Sequence, residues 1–225
     1  MQFRFHLSYQ LSKITRCSHK QAVQFCKNSM VQIDGQIETN PRTIIGSNEE
    51  IKLDSILVRE GIALKYLLFY KPNLYECTSN RTIENNLYEL LPSSFQDLFS
   101  LGRLDKNSEG LLLLTNDGQA YKDLMCKEAE VEKEYLVHTF QPISDLLKES
   151  FIHPFQLGQR FTLPAHFEQV DESSFKLILK EGINRHIRRI CAKNGNQVRQ
   201  LIRIRFGNHV LNNLKSGEWK EIAGF

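Results

Sequence analysis

No apolar stretch in the 225 residues approaches eighteen uninterrupted positions, so no transmembrane helix is expected. The opening residues, MQFRFHLSYQLSKITR, lack an apolar core followed by small residues and make a poor signal peptide. The cysteines are five, at Cys17, Cys26, Cys77, Cys126 and Cys191, an odd number with no CxxC spacing. That argues against a disulfide framework or a zinc site and for the reducing cytoplasm. There is no phosphate-cradling glycine loop, no dinucleotide fingerprint and no cluster of metal-ligand spacing. The sequence thus shows no motif for a bound nucleotide, a dinucleotide cofactor or a metal. Repeats of 20–50 residues and low-complexity tracts are missing as well.

One absence is local. Between Glu181 and Glu218 there is no acidic residue, while Arg185, Arg188, Arg189, Lys193, Arg199, Arg203, Arg205 and Lys215 all fall there. The whole chain carries a net charge of only +3, too little to argue for a polyanion partner. Eight positive charges without a counter-charge do make a local field that attracts phosphates. Their interleaving with apolar residues assigns them to folded elements rather than to a solvated tail. At 41% hydrophobic and 24% charged residues the composition is that of a globular protein, with room for a small and a medium domain.

Residues 1–58 read as the small domain. Leu7, Leu11 and Ile14 share one helical face, and Ser18 with Gln21 has capping-box spacing ahead of Ala22, Phe25 and Cys26. Val31 and Ile33 alternate, Asp34-Gly35 is a hairpin turn, and Ile51 and Leu53 suggest a closing strand. Two short helices and a small sheet, carrying basic residues that include Arg16 and Lys20, resemble the S4-type RNA-binding domain. CSHKQA and VQIDG are the matching pieces. The chain departs from that family at His6-Leu7-Ser8-Tyr9, where a basic-Leu-acidic-Lys run is usual, and at Ser29, where glycine is usual.

Glu60-Gly61 marks the linker, and residues 62–225 form the second domain. Ile62 to Tyr70 is an apolar run that Lys71-Pro72 should end. Leu87, Leu90 and Leu91 suggest a helix, with Pro92-Ser93-Ser94 opening another. Strands are predicted over 133–137, over Phe175 to Leu179, and over Ile202 to Phe206. The last alternation predicts that Arg203 and Arg205 share a face. Asn184 is a candidate cap for a helix presenting Arg185, Arg188 and Arg189 from its first turns. Strand runs without regular βαβ alternation indicate an α+β fold.

The most informative segment is Gly102 to Gly118, GRLDKNSEGLLLLTNDG. It sets Asp105 in a polar loop ahead of a buried run, Leu111 to Leu114, that ends in an Asn116-Asp117-Gly118 turn. A lone aspartate there is ordinarily a cap or a salt-bridge partner. Together with KEY at Lys133 to Tyr135, EGINRHIRRI at Glu181 to Ile190, the basic strand, the KP pair and GEWKEI at Gly217 to Ile222, it resembles the RNA pseudouridine synthases. The branch is the one that modifies bacterial ribosomal RNA at single positions. The resemblance implies a catalytic domain on a largely antiparallel mixed sheet with flanking helices. It further implies Asp105 as catalytic carboxylate, Tyr135 stacking on the extruded base, and Arg188 as ion-pair partner of Asp105. His186 stands where that family commonly has glutamine. Breaking the bond between ribose and N1 and rejoining the base through C5 moves no electron out and imports no group, so no cofactor is implied. Extruding a nucleotide needs charges to hold the backbone. Arg103, Arg185, Arg189, Arg203 and Arg205 are the candidates in this domain, beside Arg16 and Lys20 in the first. The expected partner is RNA, ribosomal ahead of transfer RNA, with no membrane and the protein a monomer. The rivals are a non-catalytic RNA-binding or ribosome-assembly protein on the same scaffold, and a hydrolase using a second acid, for which Glu109 is nearest in sequence.

Overall fold

The computed structural model describes residues 5–46, 48–126 and 130–225. The chain divides into two compact units, Met1–Leu64 and Lys65–Phe225. The first extends past the expected boundary because Ile51–Leu53 is not its last strand.

In the first unit β1 (Phe5–His6) leads into α1 (Leu7–Thr15) and α2 (His19–Lys27). There follow β2 (Val31–Ile33), β3 (Gln36–Ile37), β4 (Ile44–Ile45), β5 (Ile51–Leu53) and β6 (Ile56–Arg59). β1 pairs with β4, and the other four form a sheet in the order β3-β2-β5-β6. Leu7, Leu11, Ala22, Cys26, Val31, Ile45 and Ile51 make the core, so the apolar spacing of both helices is used as the sequence implies. The capping box forms: the Ser18 amide donates to Gln21 Oε1 at 2.9 Å, and the Gln21 amide donates to Ser18 Oγ at 3.3 Å. Asp34 and Gly35 both take positive φ, +48° and +78°, as a two-residue hairpin turn demands.

α2 ends in a Schellman motif. The Ser29 amide donates to the Cys26 carbonyl at 3.0 Å and the Met30 amide to the Phe25 carbonyl at 3.1 Å. This puts Ser29 at φ +57°, the left-handed position that glycine normally fills. Ser29→Gly should therefore raise stability by about 1 kcal/mol. A denaturant midpoint no higher than wild type would contradict it.

The second unit opens with β7 (Tyr66–Lys71), later than the apolar run suggested and reaching one residue further, because Lys71 completes the strand as a fully buried side chain. The expected helices over 87–95 are two short 3-10 turns, Leu87–Leu90 and Ser93–Phe95, capped by Asn86 and broken by Pro92. Next come β8 (Phe99–Ser100), β9 (Glu109–Thr115) and α3 (Gly118–Met125). Asp117 accepts from the Gln119 amide at 2.8 Å and so caps α3; the residues expected as a tight turn start a helix instead. β10 (Lys133–Thr139), α4 (Asp145–Ile152), β11 (Gln156–Leu157), β12 (Arg160–Phe161), β13 (His166–Gln169) and β14 (Ser174–Leu179) follow. α5 (His186–Lys193), β15 (Val198–Phe206), β16 (His209–Val210) and β17 (Trp219–Ile222) complete the chain.

Among the described residues the main sheet has nine strands, with the path β13-β14-β10-β15-β9-β7-β17. All its pairings are antiparallel except β15 with β9. The four leucines of β9 are fully buried on both faces. Leu112 and Leu114 meet Leu67, Phe69 and the 87–98 segment, whereas Leu111 and Leu113 meet Leu68, Leu101 and Phe206. Burial is worth about 2 kcal/mol for each, which anchors the loop preceding them. α4 and α5 cover the β10–β14 half through Leu147, Phe151, Ile187 and Ile190.

Candidate active site

The Asp105 loop is held by a buried lysine and a half-buried arginine. Lys71 Nζ donates to the carbonyls of Ser108 at 2.6 Å and Pro72 at 2.7 Å, and reaches that of Lys106 at 3.5 Å. Desolvation lowers its pKa to about 8, opposed by Cys77, Glu109 and Asp105. Arg188 donates through Nη2 to the Asn107 carbonyl and through Nη1 to the Val198 carbonyl at 3.1 Å. It thus ties the loop to the start of β15. The ion pair expected between Arg188 and Asp105 is not formed within 4 Å among the described residues. Burial and Arg185 lower the Arg188 pKa, while the field of Asp105 raises it. Arg188 Nε remains buried without a partner.

Asp105 lies half-buried in the wall of a cleft of about 870 Å³. Tyr135, Arg103, Arg185, His186 and Arg203 line the same cleft. Tyr135 stands on β10 directly opposite Arg203 on β15, so the two side chains share a face. Arg203 is 2% exposed. Its Nε donates to the Leu111 carbonyl at 2.7 Å, its guanidinium lies 5.0 Å from the Phe206 ring centroid, and its Nη2 has no partner.

Arg205 does not join them. Glu134 pairs with Arg205 and Tyr135 with Arg203, so Ile204 forms a bulge. The bulge turns the two arginines to opposite faces, contrary to the simple alternation. Arg205 Nε donates to Glu134 at 2.8 Å and Nη2 to Glu132 at 3.1 Å, so its charge is already matched. Glu109, the candidate second acid, accepts from Gln200 Nε2 at 2.6 Å and does not line the cleft. Asn184 is not the cap of α5; Arg185 takes the N-cap position at φ +50°. Arg103, Arg185, Arg16 and Lys20 are exposed, and Arg189 is half-buried.

Two residues near the site have no role assigned from the sequence. Lys71 looked like the end of a strand, although a lysine beside proline in an apolar run was the available signal. His186, on the cleft wall, has a side chain 4% exposed and neither ring nitrogen hydrogen-bonded. Desolvation, with Arg160 and Arg189, lowers its pKa to about 4.

The chain has relatives among known proteins. A family model described as RNA pseudouridylate synthase matches residues 65–193. An uncharacterized RNA pseudouridine synthase of Rickettsia felis is 32% identical over 211 residues, covering 92% of this chain and 91% of that one. A ribosomal large subunit pseudouridine synthase B of Pasteurella multocida is 30% identical, covering 94% of this chain and 65% of its own. A crystal structure of a pseudouridylate synthase superposes with a TM-score of 0.69 at 26% identity, covering 97% of this chain and 96% of that one. The family match and these relatives define an isomerase on a mixed α+β sheet. The chain belongs to the RNA pseudouridine synthase family.

Burial of His186 has a pH consequence. Its folded pKa of about 4 lies below the ordinary 6.5, so between these values the unfolded chain binds a proton that the folded protein refuses. Its contribution is fully present above pH 6.5 and is lost as pH falls towards 4, by about 3 kcal/mol. The groups facing it are Arg160, Arg189 and Glu181. His186→Gln should remove that part of the acid destabilisation, read as the difference in unfolding free energy between pH 7 and pH 4. An equal loss in both proteins would refute the buried neutral imidazole.

Proposed function

We propose that the Asp105 cleft is the catalytic centre, isomerising one uridine of ribosomal RNA, with Asp105 as the catalytic carboxylate. The observation that carries this is the convergence of Asp105 and Tyr135 on one cleft, with Arg188 gripping the Asp105 loop at Asn107. Three separate segments of sequence meet there. Tyr135 offers a flat face for the extruded base and a hydroxyl for proton relay. Arg188 sets the loop through the backbone and acts on Asp105 through its field. Arg103 and Arg185, exposed at the cleft, take backbone phosphates, and the likeness to the Pasteurella ribosomal large subunit synthase favours large-subunit ribosomal RNA. The chemistry uses these side chains without a cofactor, in the cytoplasm.

The first unit is read as an S4-like RNA-binding domain. Its two short helices, the second with a capping box, its small sheet and the exposed Arg16 and Lys20 support this. Removal of residues 1–64 should raise KM for a ribosomal RNA transcript and leave kcat in place; unchanged KM would make that unit an appendage.

Asp105→Asn should bind such a transcript as wild type does and lower conversion by about 10³-fold or more. Binding and site-resolved pseudouridine mapping read the two separately. Full conversion by the variant would overturn the assignment. A wild type that converts no uridine in whole ribosomal RNA would remove that substrate.

A further inference from the structure

The N-terminus of α5 opens on the cleft wall without a cap. Arg185 sits at its N-cap position in the left-handed region and no side chain accepts from the first turn. The His186 amide is bonded to the Ile183 carbonyl and the Arg189 amide to the Arg185 carbonyl. Among the described residues nothing accepts from the amides of Ile187 and Arg188. Such a terminus carries partial positive charge and points its N–H groups at whatever stands before it.

His186 is the independent sign of a ligand. Its imidazole lines the cleft, is more than nine-tenths buried, and leaves both ring nitrogens unbonded. An unsatisfied buried polar group costs folding free energy, so a partner that arrives later is the natural account of it. The nearest acid does not fill that place: Glu181 Oε1 is 3.8 Å from Nε2, beyond hydrogen-bond reach, and already accepts from the Leu163 amide at 2.9 Å. The other charges acting on the ring are those of Arg160 and Arg189. Free amides, an imidazole with an N–H to give and two guanidinium groups are all donors, and a group that is all acceptor and negatively charged answers them.

We propose that the N-terminus of α5 and His186 form the seat of one backbone phosphate of the RNA strand entering the Asp105 cleft. The phosphodiester accepts from the Ile187 and Arg188 amides and from the imidazole, with Arg160 and Arg189 supplying charge. This rests on the reading of the Asp105 cleft as the nucleotide site and adds to it the point that fixes the strand while the base is out of its stack. His186 is thus a positioning residue for the bound strand.

The test follows histidine ring nitrogens and backbone amides by NMR in the full-length, isotope-labelled protein at pH 7. The probes are uridine, the dinucleotide uridylyl-uridine and inorganic phosphate. The expected result is that the dinucleotide moves His186 and the Ile187 and Arg188 amides, whereas uridine moves only residues around Asp105. His186→Leu should weaken dinucleotide binding about tenfold, and His186→Gln, which keeps a donor, should restore most of it. If saturating dinucleotide moves the amides of residues 102–106 and leaves His186 unmoved, the phosphate seat is wrong and the cleft reading stands. If neither region moves, both fall. A His186 response to inorganic phosphate as tight as that to the dinucleotide would deny that the seat serves an RNA strand.

Discussion

The second unit is held together by a parallel junction of two residue pairs. On one side lie β13, β14, β10 and β15; on the other lie β9, β7 and β17. They join where Ile202 meets Glu109 and Arg203 meets Gly110. A Cβ on Gly110 would lie 2.4 Å from the Arg203 carbonyl oxygen and 2.6 Å from its amide nitrogen, and Gly110 has φ +107°. Only glycine lets the strands close to that distance. The junction also decides what reaches the cleft. Tyr135 comes from one half, the Asp105 loop runs into β9 on the other, and Arg203 bonds across the join to Leu111. A side chain at position 110 would separate the carboxylate from the tyrosine.

Around that junction the protein buries cations without giving them carboxylates. Buried Lys71 spends its donors on backbone carbonyls, half-buried Arg188 does so through both terminal nitrogens, and buried Arg203 spends one donor on Leu111. Burying charge on carbonyl dipoles alone is costly, which is why Lys71 has a lowered pKa. Arg205, by contrast, lies outside this cluster and is satisfied by Glu132 and Glu134. The cluster leaves two buried donors in reserve, Arg188 Nε and Arg203 Nη2. Positively charged side chains fixed by the backbone do not need to reorganise when negative charge arrives, and such fixed dipoles and charges stabilise developing charge well.

Much of this was legible from local chemistry. The leucine run closed by a turn reads as a buried strand, and it is one. The Ser18–Gln21 box and the Asp34-Gly35 turn follow from hydrogen-bonding geometry within a few residues, so pattern alone reaches them. What could not be read depends on partners distant in sequence. Ile204 bulges only because Glu134 and Tyr135 are paired to its neighbours, and that shift separates Arg203 from Arg205. Asp117 caps α3 rather than only closing a turn, while its other oxygen accepts from the Tyr66 hydroxyl at 2.7 Å. Lys71 stays in its strand because carbonyls from residues 72 and 108 gather round its ammonium group.

The acid-free tract carries the same lesson for function. As a string it is eight equal charges, and counting them predicts one basic face. In the fold they separate by how far their donors are already committed. Arg205 is paired to acids, Lys193 donates to the Gln156 carbonyl, half-buried Arg188 and buried Arg203 are part-committed, and Arg185 is exposed at the cleft. A phosphate can be gripped only by donors that still lack acceptors, since displacing an internal hydrogen bond returns little net free energy. The groups that meet this condition are the open N-terminus of α5, the ring of His186 and the unspent guanidinium nitrogens. Uncommitted donors, rather than net charge, therefore mark where an RNA strand would be held.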